Sequence, residues 1–178
     1  MARMIAAVIL AAGASTRFGS PKQRLLLEPV LERVRASGVD EIVVVLGAHE
    51  VSSSERVVRC PDWELGPGAS LRCGLRALGP DVEAAVVVLV DGPQLAPAAV
   101  DRVVAASREG REPIVAASYG GVRGHPVVLA RSTWPLVPDD GARSLGAVLV
   151  SCDDLGFPGD VDVADDLPRW LKSRRSET

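Results

Sequence analysis

Three apolar runs, residues 4–12, 41–46 and 84–90, are rich in Val, Ile and Ala and lack the polar alternation of a strand with one wet face. Such runs suit parallel strands covered on both sides, and that need for cover restricts the chain to few architectures. Helix-like stretches separate them: 28–37, with Pro29 suited to a first helical position, and 70–78, opened by Ser70 as a possible cap; a third, 97–107, follows the last run. Alternating strand and helix predicts a three-layer α/β/α fold around a mostly parallel, Rossmann-like sheet with right-handed crossovers.

Beyond Pro113 the pattern changes. Residues 114–118, the Gly120-Gly121 turn and residues 127–129 predict a hairpin or a small antiparallel portion at the sheet edge. A helix over 142–150, a short strand at 161–163 and a last helix over 165–172 complete the expectation, within one domain spanning 1–178. The segment 47–55 is short for a parallel crossover, which needs a dozen or more residues. Residues 57–59 are therefore not expected to pair in parallel beside 41–46 without a strained or different connection.

Hydrophobic residues make up 47% of the chain and the net charge is −3, which argues against disorder and against a basic nucleic-acid surface. Lys172, Arg174 and Arg175 read as a solvated end. Arg3 followed by residues 5–10 imitates a short signal peptide, but the stretch reads better as a first buried strand. No run reaches membrane-spanning length, so no membrane is expected. Cys60, Cys73 and Cys152 show neither zinc spacing nor a disulfide framework, which favours a reducing, cytoplasmic setting and leaves them as core or incidental residues. Trp134 and Trp170 read as packing residues, and Trp63 as either packing or part of a loop.

Each apolar run ends in a special residue: Gly13, Gly47 and Asp91. Ligands of open parallel sheets bind beyond the carboxyl ends of the strands, so these residues converge on one edge. The first loop runs Leu10-Ala11-Ala12-Gly13-Ala14-Ser15-Thr16-Arg17-Phe18-Gly19-Ser20-Pro21-Lys22-Gln23. Small residues let backbone N–H groups approach phosphate, and Arg17 and Lys22 supply a planar fork and a point charge. Neither the P-loop spacing nor the Gly-x-Gly-x-x-Gly fingerprint of nicotinamide-dependent dehydrogenases is present.

This loop resembles the signature of the MobA-like nucleotidyltransferases, particularly the molybdopterin cytidylyltransferase branch. Val88-Leu89-Val90-Asp91-Gly92-Pro93 is similar to the family's apolar strand and Asp-x-Pro motif. The stretch from Pro61 to Leu71, Arg123-Gly124-His125-Pro126-Val127 and Asp140-Gly141-Ala142-Arg143 resemble its further motifs in the same order, and Val161-Asp162-Val163 its ending, without the usual Thr-Pro. The resemblance implies a nucleotide-diphospho-sugar transferase-like fold. Leu10, Ala11, Ala12, Gly13, Ser15, Arg17, Lys22 and Ser70 would bind nucleotide, with Arg17, Lys22 and Asp91 catalytic. Asp91 would hold Mg²⁺ with Asp162 as second carboxylate, while Arg123, His125 and Arg143 would bind a phosphate-bearing acceptor. Structural alternatives stay open: Asp91 as a turn residue, Ser70 or Asp165 as a cap, His125-Pro126 as a turn, Asp140-Gly141 as a break.

The implied reaction is transfer of a nucleoside monophosphate from a nucleoside triphosphate to a phosphorylated small molecule with release of pyrophosphate. CTP and molybdopterin cofactor are the preferred pair, and a molybdoenzyme or chaperone would be the protein partner. Guanylyl transfer, another acceptor, or a nucleotide-binding module without catalysis are the alternatives.

Overall fold

The structure is a computed structural model that describes residues 3–175. Its elements run β1 (Met4–Ala11), α1 (Gln23–Arg35), β2 (Glu41–Leu46), β3 (Arg56–Arg59), α2 (Pro67–Ala77), β4 (Val82–Leu89), α3 (Pro97–Gly110), β5 (Ile114–Tyr119), β6 (Val122–Ala130), β7 (Val148–Ser151) and α4 (Arg169–Arg175). The seven strands form one sheet in the order β3-β2-β1-β4-β6-β5-β7. β6 alone runs against its neighbours β4 and β5; the pairs β1–β2, β1–β4, β2–β3 and β5–β7 are all parallel. The expected α/β layering and the small antiparallel portion are both present, the latter inside the sheet rather than at its edge.

Residues 5–9, the signal-like stretch, form the most buried part of the central strand, at 2% exposure or less. Odd residues of β1 pack with α1 and α3, even residues with α2, which produces the two apolar cores flanking the sheet. Among the described residues, no helix is long and apolar enough to cross a membrane.

Several expected boundaries moved. Helix α1 begins at Gln23, not residue 28, so Pro29 lies inside it and buried. Helix α2 begins at Pro67, because Gly66 with φ 130° turns the chain and Pro67 takes the first helical position. Ser70 consequently sits inside the first turn and caps nothing. The expected helix over 142–150 is a 3₁₀ turn at Ala142–Ser144 followed by β7, whose β-branched residues pair with the open side of β5. Residues 161–163 join no strand pair, and the last helix starts at Arg169 after a 3₁₀ turn at Ala164–Asp166.

The pairing of β3 is also a correction: Val43 to Leu46 pair in parallel with Arg56 to Arg59. The connection 47–55 needs no helix of its own because α1 already covers that face. Arg35 of α1 grips Glu55 (2.7 Å) and Ser54 (2.7 Å), and Val51 packs into the α1 core. The cysteines differ from expectation as well: Cys60 and Cys73 are disulfide-bonded across 13 residues with Cα atoms 5.7 Å apart, tying the end of β3 to α2. Cys152 is free and buried. Trp134 packs against the α2 core, whereas Trp170 is exposed on α4.

Candidate active site

β1 and β4 are adjacent and parallel, so their carboxyl ends deliver Gly13 and Asp91 to the same edge. Lys22, at the N-terminus of α1, is buried at 9% exposure, and its ammonium lies 2.9 Å from Asp91 Oδ1. It also donates to the Val161 carbonyl at 2.8 Å. Val161 N–H in turn donates to Asp91 O at 2.9 Å, so residues 160–162 are latched beside the strand end without being a strand. Burial pushes the Asp91 carboxyl above its ordinary range, Lys22 pulls it back, and Asp160 and Asp162 push it up further. Oδ1 of Asp91 is fully buried and makes no well-aligned hydrogen bond; its partner is the ion pair with Lys22.

Arg17, whose side chain is largely exposed, forms an ion pair with Asp162. Asp162 is held by a turn in which Asp166 accepts from the N–H groups of Asp162 (3.0 Å) and Val163 (2.9 Å). Those two bonds hold the Asp166 carboxyl below the usual range, and Asp166, rather than Asp165, is the capping carboxylate. The two expected metal-binding carboxylates thus each face one of the two expected phosphate-binding cations.

The glycine loop is braced from behind. Gln23, 1% exposed, donates to Gly13 O (2.7 Å) and accepts from the Ser15 hydroxyl (3.0 Å), and that hydroxyl accepts from Lys22 N–H. Ser15 adopts φ 56°, a left-handed turn conformation. His49 Nε2 lies 2.8 Å from Ala14 O, and Ala48 N–H donates to Ala12 O at 3.0 Å. Nothing lies within 4 Å of where a Cβ at Gly13 would stand, so the backbone there is open to a ligand.

A cavity of about 570 Å³ lies on the α2 face of this edge. Leu10, Leu71, Val87 and Leu89 give it an apolar floor, and Arg17, Asp91, Arg123, His125 and Arg143 bring polar groups to its walls. A second compartment of about 300 Å³ shares Asp91, Arg123, His125 and Arg143 and extends to Phe157 and Asp160. Of the sequence-expected residues, Leu10, Arg17, Asp91, Arg123, His125 and Arg143 line this cleft. Ala11 and Ala12 are buried at the strand end, Ser70 is buried at 4%, and Lys22 reaches the cleft through Asp91.

The β6 wall is organised differently. Arg123 donates to the carbonyls of Leu145 (2.6 Å), Ala142 (3.0 Å) and Arg143 (3.2 Å), so it fixes the turn that carries Arg143. His125, in a cis peptide bond with Pro126, is pushed down to about 4 by burial and then by Arg123 and Arg143, so its ring is neutral at physiological pH. Tyr119 donates to His125 O at 2.9 Å, and its ring meets Phe157 edge-on. Opposite, the first turn of α2 abuts residues 138–141: Gly68 N–H donates to Asp139 O at 2.8 Å. A Cβ at Gly68 would lie 1.6 Å from Pro138 O.

Sequence reasoning missed Gln23, His49 and Asp160 as parts of the site. For Asp160 the signal was present, since its spacing from Asp162 straddles the segment that latches onto Asp91. Gln23 and His49 act through backbone carbonyls, which residue letters do not reveal.

Known proteins resemble this chain over nearly its whole length. The nicotine blue oxidoreductase of Paenarthrobacter nicotinovorans is 31% identical over 94% of this chain and 96% of its own length. The crystal structure of Rv0371c from Mycobacterium tuberculosis H37Rv superposes with a TM-score of 0.79 at 29% identity, covering 97% of this chain and all of that one. The same protein in complex with manganese gives a TM-score of 0.75 at 28% identity over 96% of this chain and 99% of its own. Residues 7–153 match the MobA-like NTP transferase domain, and the chain belongs to that nucleotidyltransferase family.

Proposed function

We propose that this protein transfers a nucleoside monophosphate from a nucleoside triphosphate, CTP in the preferred reading, to a phosphorylated acceptor of the molybdopterin type in the cytoplasm, releasing pyrophosphate. The observation that carries it is the buried Lys22–Asp91 pair set beside Arg17–Asp162 at the carboxyl ends of β1 and β4. Two carboxylates with a desolvated, poorly bonded oxygen suit Mg²⁺, a hard cation that takes one or two protein carboxylates and fills its shell with phosphate oxygens and water. Bound there, Mg²⁺ would neutralise charge on the triphosphate.

The chain's own groups do the rest. A triphosphate entering the cleft would offer Lys22 and Arg17 new anionic partners and leave Asp91 and Asp162 free to hold Mg²⁺, so charge balance is kept while partners change. The open backbone at Gly13 admits the phosphates, and the apolar floor takes the base. Arg143, on the turn fixed by Arg123, binds the acceptor phosphate, and the neutral His125 donates one N–H to it. An acceptor phosphate is already ionised at neutral pH, so its oxygen attacks the α-phosphorus without a general base, and Lys22 and Arg17 stabilise the departing pyrophosphate.

A second reading has its own support: the 31%-identical relative bears the name of an oxidoreductase. A compound resembling nicotine blue would then occupy the apolar floor of the cleft. Pyrophosphate release is measured with CTP, GTP, ATP and UTP in turn, with Mg²⁺ and molybdopterin cofactor, beside bleaching of nicotine blue by a reduced nicotinamide dinucleotide. CTP-dependent release supports the transfer reading. Bleaching with no pyrophosphate in any combination replaces it with the second.

A further inference from the structure

On the side of α2 away from the cleft, Arg72 and Arg76 are spaced one helical turn apart and share a cavity of about 380 Å³ with Arg131, Trp134 and Pro135. Its floor is Leu75 and Leu78, both nearly fully buried. Two of the three guanidinium groups are held in place by carbonyls, which orient them without cancelling their charge. Arg131 donates to Gly79 O (2.8 Å) and Val82 O (2.7 Å), and Arg72 to Val137 O (2.8 Å). Arg131 also lies 4.6 Å from the centre of the Trp134 ring, and the indole N–H is fixed on Leu129 O at 3.1 Å. Among the described residues the cluster has one ion pair, Arg72 with Asp139. Three cations, two of them fixed on carbonyls, and one carboxylate leave an excess of positive charge over an apolar floor, in a chain whose net charge is −3.

A positive rim alone would suit any anion. The floor of two leucines and the indole beside it add a requirement for a flat apolar group attached to that anion. A volume of about 380 Å³ holds one small molecule, and the forked donors match phosphate oxygens better than a diffuse negative surface. We propose that this cavity is a second binding site, separate from the catalytic cleft, for a small phosphorylated ring compound of nucleoside monophosphate size. The phosphate engages Arg76 together with Arg72 or Arg131, and the ring lies over Leu75 and Leu78 beside the indole that Arg131 covers.

The test uses the full chain labelled with 5-fluorotryptophan, whose three fluorine signals, one per tryptophan, are assigned by single Trp→Phe variants. AMP, adenosine and inorganic phosphate serve as probes. AMP is expected to move the Trp134 signal saturably at millimolar concentration or below. Adenosine is expected to leave it in place, and inorganic phosphate to compete with AMP. Arg76→Gln, on the exposed helix face, is expected to raise the half-saturating AMP concentration about tenfold, whereas Arg17→Gln in the cleft leaves the Trp134 titration unchanged. Equal shifts from adenosine and AMP, an Arg76→Gln curve matching the parent, or a Trp134 shift abolished by Arg17→Gln would each overturn the proposal.

Discussion

The two walls of the cleft hold their cations in opposite settings. On the β1 and β4 wall, each cation meets a carboxylate, Lys22 with Asp91 and Arg17 with Asp162. On the β6 wall, Arg123 is spent on backbone carbonyls and Arg143 joins no ion pair among the described residues, with a neutral histidine between them in sequence position. The paired wall can exchange partners without changing its net charge, which suits a metal and a polyphosphate arriving together. The other wall carries standing positive charge, which suits a single anionic group arriving alone. In the proposed reaction the first wall carries the chemistry and the second orients the acceptor.

Removing Asp91 should break the comparison most severely. Asp91→Ala is expected to lower pyrophosphate release about 10³-fold while far-ultraviolet circular dichroism stays unchanged. A loss below tenfold would show that the paired wall does not carry the reaction. Lys22→Met comes next, with an expected loss of about 10²-fold in kcat, since it removes charge from the leaving-group side and leaves Asp91 buried without its counter-ion. Single-turnover kinetics at saturating nucleotide would separate that from weaker binding.

Arg143→Gln tests the opposite wall. Its expected signature is a rise of roughly tenfold in the acceptor KM with the nucleotide KM unchanged; a matching rise in both would erase the distinction between the walls. The smallest effect concerns His125. Its folded pKa of about 4 lies below its ordinary value of 6.5, so the fold favours the neutral ring. That contribution to stability is complete above 6.5 and is lost as pH falls from 6.5 towards 4. Thermal melts of the parent and of His125→Asn should therefore differ in slope across this window, and parallel curves would show that the ring titrates normally.

The convergence of residues on the β1 and β4 wall was legible in the sequence. Gly13, Asp91, Arg17 and Lys22 stand close to the ends of apolar runs, and runs of that kind convert directly into strand ends on one edge. What could not be read were contacts made across long stretches of chain. Lys22 bonds to Val161 at a separation of 139 residues, and no local pattern connects them. The same limit explains β7: the residues after Gly146 look like a helix in isolation, and only the unpaired side of β5 turns them into a strand. The β3 pairing was misjudged because the length of a connection was counted without the cover that α1 supplies. The Cys60–Cys73 bond escaped for a similar reason, since thirteen residues of spacing say nothing about β3 and α2 packing side by side.

The closeness of Gly68 to Pro138 sets how the cleft can move. With no room between the first turn of α2 and the 138–141 segment, the two must travel as one rigid body, like the jaw of a vice cast in a single piece. The opposite jaw, the loop from Gly13 to Pro21, is anchored by the buried Phe18 and otherwise held by exchangeable contacts, Gln23 and His49 on backbone carbonyls and Arg17 on Asp162, so opening and closing around substrates would fall to it. The timing of product release would be written in that loop's hinge, far more than in the helix facing it.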